Sequence, residues 1–300
     1  MKRQQYPSFR TVLNRDGIVR VAGAHDALGA VLAQESGFDA IWSSSLEISA
    51  GRCLPDFSLL TMTELLAVAA DMQKALRVPV VADCETGYGN ALNVAHMVHQ
   101  YQAAGISAVC LEDKLFPKAN SFAVDDQPLM DAVEFAHKIE VAKATQDGDD
   151  FLVIARTEAL ISGLSVAEAL TRAHTYVDAG ADAVLIHSKA RTEVEVMEFL
   201  HGWRGRRPVV VVPTTYPNWH IDKVRAAGVS VVIYANQGLR ATITALRSAF
   251  RSILKEGSSQ SLEGDIASMS EVFSLQRNAD WRKIDNPVRA IAPQPNQDCP

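Results

Sequence analysis

Apolar positions in this chain come in two rhythms. Short aliphatic runs, too brief for helices, alternate with longer stretches whose apolar residues return every three or four positions. The runs predict eight strands: Ile18–Ala22, Asp39–Ser43, Val78–Asp83, Ser107–Glu112, Phe151–Arg156, Ala183–His187, Val209–Val212 and Ser230–Tyr234. Such continuous runs suit strands buried on both faces. Helical spacing fills most intervals, as over Met62–Leu76, Ala91–Ala104 and Val166–Asp178. One phrase marks the joints: ESGFDAIW, AAGISAVCLE, DAGADAVLIH and AAGVSVVIYA set Gly37, Gly105, Gly180 and Gly228 between a helix end and a strand. Gly tolerates the left-handed conformation that ends a helix. Eight strands alternating with helices predict an α/β fold, a (β/α)₈ TIM barrel. A doubly wound sheet is the competitor, but no GxGxxG follows the first strand.

Past the eighth strand, amphipathic spacing predicts extra helices at Leu239–Leu254 and Met269–Gln276. Ser165 with Glu168, and Ser268 with Glu271, have the spacing of capping boxes. Extra C-terminal helices often pack on a neighbouring subunit. Residues 1–277 read as one catalytic domain and 278–300 as a mobile tail, with four prolines from Asn286 onward. No linker divides the chain.

Charge and composition narrow the function. With Lys+Arg 29 against Asp+Glu 35 the net charge is −6, which argues against a non-specific nucleic-acid binder. No apolar run approaches the roughly 18 residues that span a bilayer. MKRQQYPSFRTVL lacks the apolar core of a secretory signal. Cys53, Cys84, Cys110 and Cys299 are far apart, without metal-binding spacing. The expectation is a reduced, cytoplasmic protein whose partner is a small-molecule substrate.

In a TIM barrel the active groups sit at the carboxyl ends of the strands. Here strand after strand ends in an ionisable group: Asp83 and Glu85 after the third, Glu112 after the fourth, Arg156 on the fifth, His187 on the sixth. Asp56 adds a carboxylate from the loop after strand two. Four carboxylates around one point call for a cation, and an all-oxygen set selects a hard one, Mg²⁺ or Mn²⁺. Arg156 suits bidentate binding of phosphate or carboxylate, and His187 adds cationic and donor capacity. His25 reads as support for the site. The segment EDKLFPKANSF, residues 112–122, is a polar loop over the barrel mouth and a candidate lid, mobile without ligand.

These residues together resemble the phosphoenolpyruvate mutase branch of the isocitrate lyase superfamily, from about residue 8 to about residue 277. The supporting strings are GFDAIWSSSLEISA, DCETGYGN, LEDKLFPKANS, VIARTEALISG, ADAVLIHSK, VVVVPTTY and VVIYANQGLRA. The loop pattern EDKxFPKxNS is highly specific to this branch. The resemblance implies a barrel whose terminal helix swaps between subunits in a homodimer or homotetramer. It implies Mg²⁺ and an intramolecular phosphoryl transfer that interconverts phosphoenolpyruvate and 3-phosphonopyruvate, the carbon–phosphorus bond-forming step of phosphonate biosynthesis. It places the metal directly on Asp83, with Glu85, Glu112 and Asp56 acting mostly through water. The backbone at Ser44, Ser45 and Leu46 would hold the pyruvate part. Arg156, His187 and Asn120 would grip the phosphoryl group, with Lys118 and Ser121 helping from the loop.

Two positions depart from that pattern: Ser45 where the family usually has Gly, and Glu85 where it has Asp. A Ser beside the pyruvate site either tightens it or demands an unusual backbone angle. The nearest alternative is a phosphonopyruvate hydrolase, which usually carries Thr where Asn120 stands. A carboxyphosphonoenolpyruvate mutase is a narrower variant. Carbon–carbon lyases of the methylisocitrate or oxaloacetate type carry a Cys-bearing loop, and residues 113–122 hold no cysteine. A barrel that only binds a ligand would not need the full carboxylate, Arg and His set.

Overall fold

The structure, a computed structural model, describes residues 6–121 and 127–291, with side chains described to residue 284. Eight parallel strands close into a (β/α)₈ barrel in sequence order: β1 (Val19–Ala24), β2 (Ala40–Ser43), β3 (Val80–Asp83), β4 (Ala108–Glu112), β5 (Leu152–Thr157), β6 (Ala183–Ile186), β7 (Val209–Val211) and β8 (Val231–Tyr234). Each lies within two residues of its predicted bounds. The helices are α1 (Phe9–Leu13), α2 (Ala27–Glu35), α3 (Ser45–Gly51), α4 (Met62–Ala75), α5 (Ala91–Ala103), α6 (Ala132–Thr145), α7 (Val166–Asp178), α8 (Val194–Trp203), α9 (Ile221–Ala226), α10 (Gln237–Glu256), α11 (Met269–Leu275) and α12 (Asn278–Ile291).

Continuous apolarity in the strands has the expected cause. Alternate residues point to opposite faces, and both faces are buried. Along β2, Ala40 and Trp42 join the cluster inside the barrel while Ile41 joins the one between strands and helices. Phe9 and Val12 of α1 belong to the interior cluster. The recurring glycines end their helices as read, with φ of 91° at Gly37, 87° at Gly105, 104° at Gly180 and 85° at Gly228.

Two local expectations are corrected. Ser165 and Ser268 cap their helices by accepting from the N–H of Glu168 and Glu271. The reciprocal half of the box is replaced at Glu168, whose carboxylate pairs with Arg172 one turn on (2.9 Å). Reciprocal boxes form instead at Thr61 with Glu64 and at Asn90 with Asn93. Within the expected tail, α12 occupies Asn278–Ile291; residues 292–300 lie outside the described residues.

The chain forms two compact units, residues 1–241 and 242–300. The second contains most of α10 together with α11 and α12. Among the described residues no helix is long and apolar enough to cross a membrane.

Candidate active site

The turn after β3 shows how the sequence builds the site. Glu85 and Tyr88 adopt left-handed φ of 52° and 61°, an uncommon conformation for residues with side chains. Gly87 follows Glu85's turn at φ 88°, and a Cβ there would lie 2.5 Å from Val94 Cγ2. The tight DCETGYGN turn drives Asp83 and Glu85 inward, leaving Glu85 only 2% exposed. Asp83 accepts from Ser45 Oγ at 3.0 Å and from the Glu85 N–H at 3.2 Å.

The loop leaving β4 lies over these carboxylates as far as Ser121; residue 122, the last of the expected lid, and residues 123–126 lie outside the described residues. Lys118 Nζ reaches Asp56 Oδ1 at 3.2 Å, Ser45 Oγ at 3.2 Å, Glu85 Oε1 at 3.6 Å and Glu112 Oε1 at 3.8 Å. Asn120 donates to Asp56 Oδ2 at 2.9 Å. Burial alone would depress the Lys118 ammonium, but Glu112, Asp56, Asp83 and Glu85 hold it well above the ordinary lysine range. Burial pushes Asp56 up, and Lys118 with Asn120 more than reverse it, so this carboxyl sits below its ordinary range. Glu85 is pushed up to about 7 by burial, with Lys118 opposing and Asp83 and Asp56 reinforcing.

Across the mouth, Glu112 and Arg156 are register partners on β4 and β5. Arg156 Nε lies 3.5 Å from Glu112 Oε2 and donates a short hydrogen bond to Glu158 Oε1. Burial disfavours the guanidinium charge, but Glu158 and Glu112 raise its pKa above the ordinary arginine value. His187, just past β6, departs from expectation. Burial, and then the Arg156 charge, push it down to about 3, so its ring is neutral rather than cationic. It keeps a hydrogen bond with the Val212 backbone.

One narrow cavity gathers most of the expected residues. Ser44, Leu46, Asp56, Asp83 and Glu112 line it, and so do Lys118, Asn120, Ser121, Arg156 and His187. Ser45 and Glu85 stand behind that lining, each almost fully buried. Ser45 takes no unusual backbone angle. It is the first residue of α3, capped by Ser44, whose hydroxyl accepts from the Glu47 N–H at 3.2 Å. Among the described residues no three acidic, His or Cys side chains stand close enough to cage a bare metal ion. Asp56, Glu85 and Glu112 instead surround the Lys118 ammonium.

The oxygens nevertheless fit a divalent cation. Glu85 Oε2 is buried without a hydrogen-bond partner, while Asp56 Oδ1 and both Glu112 carboxylate oxygens are buried and met by ion pairs with Lys118, Lys114 and Arg156. Among the described residues, Asp56, Asp83, Glu85, Glu112 and Glu158 are five carboxyl groups against the three cations Lys114, Lys118 and Arg156, with Glu85 held part-protonated at about 7. A divalent cation would relieve this acidic excess, and oxygen donors select a hard one.

Sequence reasoning did not assign Lys114 and Glu158 to the site. Lys114 Nζ is 3.1 Å from Glu158 Oε2 and 3.7 Å from Glu112 Oε1, with side chains only 2%, 0% and 2% exposed. The available signal was an acid two residues beyond Arg156 at a strand end. Thr214 and Asn236, past β7 and β8, also line the cavity. His25, read as support, pairs with buried Glu47 at 3.2 Å. Burial pushes the Glu47 carboxyl up to about 7 against the pull of His25.

Residues 9–254 match the family of phosphoenolpyruvate phosphomutase. The chain belongs to this enzyme family. Within the phosphomutase family, the chain is 40% identical to the phosphoenolpyruvate phosphomutase of Tetrahymena pyriformis, over 87% of this chain and 88% of that protein. It is 39% identical to the phosphonopyruvate hydrolase of Variovorax sp. (strain Pal2), over 93% of this chain and 97% of that one. Among solved structures, a phosphoenolpyruvate phosphomutase from Streptomyces platensis subsp. rosaceus superposes with a TM-score of 0.91 at 52% identity, covering 93% of this chain and 97% of that one. A phosphonopyruvate hydrolase complex with oxalate and Mg²⁺ superposes at 0.88 with 38% identity, covering 93% and 96%.

Proposed function

We propose that this protein is a phosphoenolpyruvate mutase that interconverts phosphoenolpyruvate and 3-phosphonopyruvate. The observation that carries the reading is Asn120. It stands on the EDKLFPKANS loop and lines the same cavity as Arg156 and His187, where hydrolases of this branch usually carry Thr. The 52% identity to the Streptomyces platensis phosphomutase, against 38% to the hydrolase structure, points the same way.

On this reading Asp83 holds Mg²⁺ directly, while Glu85, Glu112 and Asp56 hold its water. When bound there, the cation supplies positive charge to stabilise the pyruvate enolate. The N–H groups opening α3, at Ser45 and Leu46, have no intrahelical acceptors and hold the pyruvate portion. Arg156 and Asn120 donate to the phosphoryl oxygens, whose charge grows as the bond to the enol oxygen loosens. Neutral His187 gives a polar wall without adding a competing proton. The phosphoryl group leaves the enol oxygen and bonds to carbon three of the same enolate. No proton moves, so no general acid or base is required. Water must be kept out, and the contacts of buried Lys118 and half-buried Asn120 cover that side.

The finer expectations belong to the same proposal: a homodimer or homotetramer with swapped C-terminal helices, acting in the cytoplasm on small phosphonates. Phosphorus NMR of the protein with phosphonopyruvate and Mg²⁺ tests the activity. The expected product is phosphoenolpyruvate. Pyruvate and inorganic phosphate appearing faster would make the enzyme a hydrolase. Asn120→Thr, which shortens the donor, is expected to slow the mutase and raise phosphate release. If both rates stay unchanged, Asn120 does not touch the phosphoryl group.

A further inference from the structure

We infer that Glu158 is a positioning residue of this site, tying the loop that leaves β4 to the Arg156 guanidinium through the Ser121 hydroxyl. The inference rests on the reading of Arg156 as the group that grips the phosphoryl oxygens.

Glu158 lies one residue past β5, and its side chain is 0% exposed. Its two carboxylate oxygens serve two elements. Oε1 accepts from Arg156 Nε, and Oε2 accepts from Ser121 Oγ at 2.7 Å. Lys114 Nζ closes the arrangement, 3.1 Å from Oε2, and donates to Ser121 Oγ at 2.7 Å and to the Ala119 carbonyl at 3.2 Å. Arg156 also donates to Ser121 Oγ, at 3.3 Å.

A serine hydroxyl has one proton to give and two lone pairs. Ser121 gives its proton to Glu158 and accepts from Lys114 and Arg156, so its capacity is filled by the protein. That reassigns Ser121. Sequence reasoning placed it on the substrate, whereas the structure makes it the tie between loop and barrel. Asn120 and Lys118, its near neighbours, reach Asp56 from the same loop.

Glu158 is itself held from behind. Its N–H donates to Asp113 Oδ1 at 2.8 Å. The other oxygen of fully buried Asp113 accepts from Tyr176 Oη at 2.6 Å and from Arg172 at 3.2 Å, both on α7. Arg156 has a second carboxylate available, Glu112 Oε2 at 3.5 Å. Glu158, at hydrogen-bond contact, wins that competition. Without it the guanidinium turns to Glu112, away from the phosphoryl position. Burial would push Glu158 up, but Arg156 and Lys114 hold it below the ordinary carboxylate range, so the tie is ionic.

The test uses the full-length protein and two variants, Ser121→Ala and Glu158→Gln. Trypsin cuts after Lys114 and Lys118, whose side chains are 2% and 4% exposed. Cleavage there follows the population in which the loop has opened. Losing a charge-assisted hydrogen bond is expected to raise that rate about tenfold or more. Cutting after exposed Arg206 should stay unchanged, which a general loss of stability would not allow. Glu158→Gln removes a buried charge and risks misfolding; Ser121→Ala leaves the Glu158 pairs with Arg156 and Lys114 intact and keeps the inference testable. Wild-type cleavage rates in Ser121→Ala overturn the tie. For Glu158→Gln, KM for phosphonopyruvate should rise about tenfold while inhibition by oxalate, which has no phosphoryl group, stays within twofold. Equal losses for both ligands overturn the positioning of Arg156. If the native protein turns over no phosphonopyruvate, the functional reading fails, and trypsin still decides the tie.

Discussion

Lys118 reaches Asp56, Glu85 and Glu112 together, and Ser45 holds it there. Ser45 accepts from Lys118 and donates to Asp83, so one hydroxyl orients both a lysine and the carboxylate proposed to hold the metal. Ser45→Gly removes both bonds and puts Gly in the first turn of α3, which costs up to about 1 kcal/mol of stability. The expected result is a folded protein whose Mg²⁺ affinity falls about tenfold, since hydrogen bonds to charged groups are worth roughly 1.5–3 kcal/mol. Titration calorimetry checks this; native affinity in the variant would remove Ser45 from the site. Proton linkage gives a second residue-scale prediction. Glu85 and Glu47 both titrate at about 7 in the fold, above the 4.5 of a free glutamate. The folded state then binds more protons, and their contribution to stability declines as pH rises from about 4.5 to about 7. His187, lowered from 6.5 to about 3, acts oppositely, since its unfolded form takes the proton below 6.5. Two carboxyls outweigh one imidazole at pH 5.5, so the metal-free protein should melt higher there than at pH 8. The added stabilisation from Mg²⁺ should run the other way, because protonated Glu85 no longer serves a cation. Thermal melts with and without Mg²⁺ at both pH values read both trends.

At the element scale, the turn between β3 and α5 carries the most function per residue. It starts at Asp83, holds Glu85 at a left-handed φ, and ends at Asn90, which caps α5 reciprocally with Asn93. Gly87→Ala would bring a Cβ within 2.5 Å of Val94 Cγ2 and 3.0 Å of Leu111 Cδ2 at a φ of 88°. Both neighbours are fully buried, so neither yields cheaply. A loss of about 1–3 kcal/mol in denaturant unfolding is expected, with weaker Mg²⁺ binding because Glu85 is displaced. A variant as stable as the native protein would show that the turn relaxes without strain. The string DCETGYGN thus identified the element, and its glycines explain how two carboxylates are turned into one site.

For the whole molecule, the C-terminal unit has few buried side chains of its own. Phe250 is 58% exposed and Leu246 48% exposed on α10, and Trp281 on α12 is 64% exposed. Apolar surface of this kind is expected to be covered by another subunit. Light scattering should therefore give a multiple of 32.6 kDa, and Phe250→Glu should shift it towards the monomer. A native mass of one chain would overturn the homo-oligomer.

The sequence by itself determined the barrel and most of its mouth. Strand and helix periods are local, the glycine after each helix is local, and parallel strands put successive carboxyl ends on one face whatever the side chains do. That is why Asp83, Glu112 and Arg156 could be placed in one site from their positions at strand ends. What the tertiary structure decided depends on contacts that no spacing encodes. Lys118 meets Ser45 across 73 residues, and Ser121 meets Glu158 across 37, only because the barrel closes and the loop folds back. The neutrality of His187 likewise follows from burial beside Arg156, and a charge state set by surroundings cannot be read from the residue. Glu158 is in sequence only an acid two residues past Arg156; two elements packing on it make it the anchor of a guanidinium and a loop.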